Sequence, residues 1–173
     1  PYAKKWGGFS MDLDNPMGIY RSNALSRINV CDKMPGEEAQ RELEEFRKNF
    51  GRPAQYTLLY HWARLIELVS NCEEAIKLLE DPDITGRDIR AVVKVQGGRG
   101  VGCVEAPRGT LIHDYTADDK GFITNVNIIV GTTHNQAPIN MSIKQAARMV
   151  IHNGKYDQGA LNLIETAIRA YDP

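Results

Sequence analysis

Apolar residues recur at helical spacing in two neighbouring stretches. Ala39, Leu43, Phe46 and Phe50 follow at intervals of four, three and four, which predicts a helix from about Glu37 to Asn49 with one narrow apolar stripe. Glu37, Glu38, Glu44 and Glu45 alternate with Arg41, Arg47 and Lys48 on its other side, a solvated face with no acid–base pair. Met34-Pro35-Gly36 introduces this helix and Gly51-Arg52-Pro53 stops it. A second, longer helix is predicted from about Tyr56 to Leu79. Its broad stripe comprises Leu58, Leu59, Trp62, Leu65, Ile66, Val69, Ile76 and Leu79. Two antiparallel helices joined by so short a turn bury such stripes against each other. Asp81-Pro82-Asp83-Ile84-Thr85-Gly86 closes the pair.

The period then changes to two. Ile89, Ala91, Val93 and Val95 alternate with Asp88, Arg90, Val92 and Lys94, which predicts a strand over Arg87 to Val95. It feeds a glycine-rich loop, with five glycines and one proline in the fourteen residues from Gly97 to Thr110. A hairpin follows, with arms Thr110–Thr116 and Phe122–Val130 around a turn at Asp118–Gly121. Apolar spacing predicts two closing helices, from about Ser142 to His152 and from about Asp157 to Ala170. The lead segment, Pro1 to Val30, reads as irregular, with turn signals at Gly7-Gly8, Asn15-Pro16 and Gly18. The fold class is therefore α+β and predominantly helical, in a chain long enough for one domain or part of one.

Composition narrows the function classes. A formal net charge of −1 gives no case for nucleic acid or an anionic membrane surface, and no apolar run is long enough for a membrane span. Cys31, Cys72 and Cys103 are scattered, without a CxxC pair, so neither a disulfide framework nor a zinc site is expected. Cys103 beside the glycines suits a nucleophile or ligand, but it fits better an apolar filler in an alternating strand.

Candidate chemistry concentrates where the hairpin opens. Its two ends bring Gly109 beside Gly131, and so place Arg108, held between Pro107 and Gly109, near Thr132. A cation and hydroxyls converging on thinly covered backbone suit a small anionic ligand. The same residues also suit a turn with a solvated arginine. Glu105 is expected to fix the loop or pair with an arginine, and Asp114 is a weak catalytic partner for it. Arg21 and Arg27 fit ion pairs that hold the lead segment to the body. His61 is expected to be a hydrogen-bonded interior or interface residue. His113 and His134 have no metal-ligand spacing, and His134 has the better claim to the cleft.

Gly-Val-Gly at 100–102, Glu-Ala-Pro-Arg-Gly-Thr-Leu-Ile-His at 105–113 and Ile-Val-Gly-Thr-Thr-His-Asn at 129–135 resemble the large subunit of nickel–iron hydrogenases. The similarity runs from Gly18 to Pro173 and is strongest to the cytoplasmic branch coupled to NAD(P) or a deazaflavin. Residues 20–29, Tyr-Arg-Ser-Asn-Ala-Leu-Ser-Arg-Ile-Asn, resemble a family segment with Gly-Pro in place of Asn23-Ala24 and alanine in place of Ser26. The resemblance implies a C-terminal portion of a large subunit that splits dihydrogen heterolytically at a nickel–iron centre carrying cyanide and carbonyl ligands. The implied partners are an iron–sulfur small subunit together with further electron-transfer subunits.

By the same resemblance, Arg108 is catalytic: it sits above the metals, donates to a cyanide and could assist proton removal from nickel-bound hydrogen. Thr132 donates to the other cyanide, and Pro107 packs against the diatomic ligands. Tyr171-Asp172-Pro173 matches the residues that lead into the metal-binding cysteine pair, so the 173 residues alone are expected to hold no metal. Two alternatives share the pattern: the quinone-site subunit of respiratory complex I, and an accessory domain without chemistry.

Overall fold

The structure, a computed structural model, describes residues 8–172. The turn signal at Gly7 and the closing Pro173 lie outside the described residues. Two short strands, β1 (Ser10–Met11) and β2 (Pro16–Met17), pair antiparallel at the start. Helices α1 (Ala24–Val30), α2 (Glu37–Phe50) and α3 (Leu59–Glu80) follow, and a 3-10 turn spans Pro82–Thr85. Strands β3 (Gly98–Ala106), β4 (Gly109–Ala117) and β5 (Ile123–Ile129) form one antiparallel sheet in that order. The chain closes with α4 (Gly131–His134), α5 (Gln136–Val150) and α6 (Gln158–Arg169).

The core joins α1, α2, α3 and the C-terminal end. Ala24, Leu25 and Ile28 meet Leu43 and Phe46, Leu59, Tyr60, Ala63 and Ile66, and finally Ala170 and Tyr171. Each large side chain so buried contributes about 1.5–3 kcal/mol relative to exposure. Trp62 stands edge-on to Phe46, with ring centres 5.6 Å apart, as the facing stripes of α2 and α3 require. The α3 stripe is only partly buried, however. Leu59 and Ile66 are covered, whereas Leu58, Leu65, Ile76 and Leu79 are exposed. The 22-residue α3 outruns the 14-residue α2, and a stripe so broad extends past the side that α1 and α2 cover. The first turn of α2 is capped from α3, where the Glu73 carboxylate accepts from the Glu38 and Ala39 amides at 3.0 and 3.1 Å.

Five expectations about the fold need correction. Arg87 to Val95 forms no strand: Ile89, Val92, Val93 and Val95 are exposed, and no described strand pairs with them. Alternation marks a strand only where a neighbour offers its hydrogen bonds. The glycine-rich segment is itself a strand, because β4 supplies a continuous ladder from Gly98↔Ala117 to Ala106↔Gly109 and leaves Pro107-Arg108 as a two-residue turn. Cys103 on β3 is consequently exposed and fills no interior.

The lead segment is not wholly irregular, since α1 follows Asn23. The first closing helix begins at Gln136, six residues early, with Pro138 in its first turn, where a missing amide costs least. The remaining predicted helices and the β4–β5 hairpin form as expected.

Candidate functional site

Pro107 and Arg108 form the tip of the β3–β4 hairpin, and Gly109 takes the positive φ of 132° that lets the chain turn back. The N-terminus of α4 lies against this tip. A Cβ added to Gly131 would stand 2.8 Å from the Arg108 carbonyl carbon and 2.9 Å from the Gly109 nitrogen. A Cβ on Gly109 would stand 3.4 Å from Gly131 Cα and 2.4 Å from Ser22 Oγ. The two ends of the hairpin therefore touch through backbone, and Thr132 follows immediately. Thr132 is exposed, and its hydroxyl makes no hydrogen bond among the described residues.

All three carbonyls of the turn are held by side chains. Arg27 donates to Ala106 O at 3.1 Å and Pro107 O at 2.8 Å. The buried Asn135 donates to Arg108 O at 3.4 Å, and its Oδ1 accepts from the Ser22 amide at 3.0 Å. Glu105, at the end of β3, accepts from Arg27 and from the Thr110 hydroxyl, each at 2.6 Å. Burial pushes the Glu105 carboxyl up, but the hydrogen bonds from Thr110 and Arg27 outweigh it and leave the group below its usual range. Glu105 thus fixes the loop and pairs with an arginine, as expected from the sequence. Glu67 of α3 completes the cluster with two bonds to Arg27, at 2.6 and 2.7 Å.

Arg108 itself is half exposed. Its Nε donates to the Asp172 carbonyl, and the Asp172 carboxylate lies 3.5 Å away. Its terminal amino groups bond no described residue, so they remain available to an anion. Asp172 is placed in turn by Tyr171, whose carbonyl accepts from the buried Asn23 at 2.9 Å and whose ring packs at a tilt against Tyr60. Of the candidates, Pro107 and Arg108 share the exposed turn, and Thr132 follows Gly131, whose backbone lies against it.

The other candidates lie elsewhere. His134 is buried: its Nε2 donates to Thr110 O at 3.0 Å, while its Nδ1 accepts from the Tyr20 hydroxyl at 2.6 Å. With both nitrogens occupied, it is a strut under the hairpin rather than a cleft residue. His61 is exposed and accepts from Arg64 at 2.8 Å; desolvation and that neighbouring charge lower its pKa. His113 accepts from the Tyr115 hydroxyl within β4, and Asp114 pairs with Arg99 at 2.8 Å. Arg21 donates to Gln55 O. Sequence reasoning missed Asn23 and Asn135. Their partners lie 148 and 113 residues away along the chain, so no local pattern signals them.

No three histidine, cysteine or carboxylate side chains among the described residues converge to hold a metal ion. Cys72 and Cys103 are exposed on α3 and β3, and Cys31 is half-buried beyond α1. Taken as a ligand set, the donors present do not fit a nickel–iron centre. As an outer wall, a half-free guanidinium, a free hydroxyl and a proline fit a group that carries small anions.

The chain is similar to known proteins over its whole length. The chain is 48% identical over its whole length to an F420-non-reducing hydrogenase subunit of Methanothermobacter thermautotrophicus, covering 37% of that protein. It is 38% identical, again over its whole length, to the NAD-reducing hydrogenase HoxS subunit beta of Cupriavidus necator, covering 35% of it. Its fold matches a crystal structure of an NAD+-reducing NiFe hydrogenase in the H2-reduced state. The TM-score is 0.86 at 40% identity, over 99% of this chain and 37% of that one. The chain thus spans about a third of the length of the relatives it matches. No described helix is long and apolar enough to cross a membrane. With residues 24–173 matching the model of the nickel-dependent hydrogenases, the chain belongs to that family.

Proposed function

We propose that these residues form part of the wall around the nickel–iron centre of a hydrogenase large subunit that oxidises dihydrogen reversibly. The observation that carries this reading is the clamped Pro107–Arg108 turn against Gly131, which leaves terminal donors of Arg108 unpaired, while Thr132, the residue after Gly131, has a hydroxyl with no partner among the described residues. When bound, the centre would supply the redox and Lewis-acid chemistry that splits the hydrogen molecule. Its thiolate ligands belong, on this reading, to the two thirds of the parent protein not represented here.

The residues of this chain do the rest. Arg108 offers a planar, permanently charged fork that holds a small anion such as cyanide by charge-assisted hydrogen bonds. Thr132 offers a neutral donor to a second such group. Pro107, with no amide hydrogen, presents an apolar surface that excludes water from the diatomic ligands. Asp172 restrains the guanidinium at Nε, which leaves its other donors directed by the turn. Association with an iron–sulfur subunit, together with further electron-transfer subunits, is part of the proposal. It is supported by relatives named as subunits, one of them an F420-non-reducing hydrogenase iron-sulfur subunit from Archaeoglobus profundus. A cytoplasmic setting is supported by the relative named for NAD, a soluble nucleotide.

Substitution Arg108→Lys in the full-length enzyme tests the reading. Lysine keeps the charge but loses the fork and is more strongly hydrated. Hydrogen oxidation should fall by about tenfold or more with nickel content retained, as for other groups behind a metal's ligands. Near-normal turnover would return Arg108 to a solvated turn residue.

A further inference from the structure

We infer that Arg27 is a positioning residue for the Pro107–Arg108 turn, fixing where Arg108 stands without touching the ligand. The inference rests on the reading of Arg108 given above. A guanidinium has five N–H donors, and in Arg27 every one is used. Nε reaches Glu67 Oε1 at 2.6 Å. Nη1 reaches Glu105 Oε1 at 2.6 Å and Ala106 O at 3.1 Å. Nη2 reaches Glu67 Oε2 at 2.7 Å and Pro107 O at 2.8 Å. No donor remains for substrate or anion, which distinguishes Arg27 from Arg108.

The geometry also shows what Arg27 connects. Glu67 lies on α3, one turn from Ala63 and adjacent to Ile66 in the helical core. Glu105 and Ala106 end β3, and Pro107 begins the turn. One side chain from α1 therefore ties the hairpin tip to the rigid helical body. Among the described residues, the other side-chain bond to a turn carbonyl is the 3.4 Å contact from Asn135. A small cleft of about 310 Å³ beside the cluster, lined in part by Met34, Ser70 and Asn71, leaves space into which a released tip could relax. A lysine has three donors on one nitrogen and cannot grip Glu67 with two parallel bonds while also reaching both carbonyls. Functional groups must be held to within about 0.5 Å of their working position, so a tip that is only loosely tied displaces Arg108 by enough to matter.

The test uses the full-length enzyme with Arg27→Lys, Arg108→Lys and both together. It reads the rate of hydrogen oxidation, nickel per protein and the infrared stretching bands of the diatomic ligands. Arg27→Lys should lower kcat about tenfold, keep nickel and shift or broaden the bands. The double variant should be no slower than Arg108→Lys alone, because both act through one guanidinium. Multiplying losses in the double variant would overturn the inference, as would unchanged rate and bands in Arg27→Lys. Nickel lost in proportion to activity would also overturn it, since that marks a role in assembling the fold. Near-normal turnover in Arg108→Lys would remove the underlying reading and both would fall. Should Arg27→Lys fail to fold, Glu67→Gln keeps the shape and weakens one anchor. Shifted bands with nickel retained support the inference, and unchanged bands and rate overturn it.

Discussion

Asn23 offers a sharp test of how the sequence serves this backbone. It stands at φ 95° and ψ −179°, a region open in practice only to glycine, where another residue carries about 1–3 kcal/mol of strain. The related family segment has glycine-proline where this chain has Asn23-Ala24. The two departures are coupled: Ala24 has an amide hydrogen that proline would lack, and Asn23 Oδ1 accepts from it at 2.6 Å. Asn23 Nδ2 also donates to the Tyr171 carbonyl at 2.9 Å in the interior. Replacing Asn23 by alanine keeps the strain and leaves that buried carbonyl unpaired, at a cost of about 1–3 kcal/mol. Replacing it by glycine loses the same bond but releases about 1–3 kcal/mol of strain, so the net change should lie near zero. Urea unfolding of the chain measures both variants, and at a slope of roughly 2 kcal/mol/M the alanine variant should lose about 0.5–1.5 M of midpoint. The reasoning fails if Asn23→Ala is no less stable than Asn23→Gly, or if both match the parent chain.

Two further perturbations probe the turn. Gly131→Ala places a methyl against backbone atoms of Arg108 and Gly109 that cannot rotate away, so the chain should lose about 1–3 kcal/mol in the same unfolding assay; an unchanged midpoint would contradict the close approach. Glu105 has a folded pKa below its unfolded value of about 4.3, so its contribution is complete above that value and is lost as pH falls through the folded pKa. Glu105→Gln should therefore lower stability at neutral pH and flatten its decline in acid, and an unaltered pH profile would refute the assigned pairing.

Much of the architecture was legible because it is local. The spacing of Ala39, Leu43 and Phe46 marks α2, and Asp118-Asp119-Lys120-Gly121 between apolar arms marks the β4–β5 turn. Other features depend on what lies across space. Gly98, Gly100 and Gly102 look like a loop until β4 is there to pair with them. Ile89 to Val95 looks like a strand because alternation carries no information about whether a partner exists. Within the site, the adjacency of Arg108 and Thr132 follows from hairpin closure, and the family motifs name the residues. The clamp by Arg27 could be anticipated only as an unspecified ion pair. Its partners lie 40 and 78 residues away, a distance no local pattern spans. Asn135 was hidden for the same reason, since nothing in Thr-Thr-His-Asn announces a bond to Ser22.

Anomalous diffraction at the nickel edge, from crystals of the full-length enzyme, tests the central proposal most directly. The nickel peak and its neighbouring iron should lie beside the Pro107–Arg108 tip, with non-protein ligand density within about 3 Å of Arg108 amino groups and of the Thr132 hydroxyl. A nickel–iron centre fully ligated elsewhere in the protein, with water alone facing Arg108 and Thr132, would contradict the account.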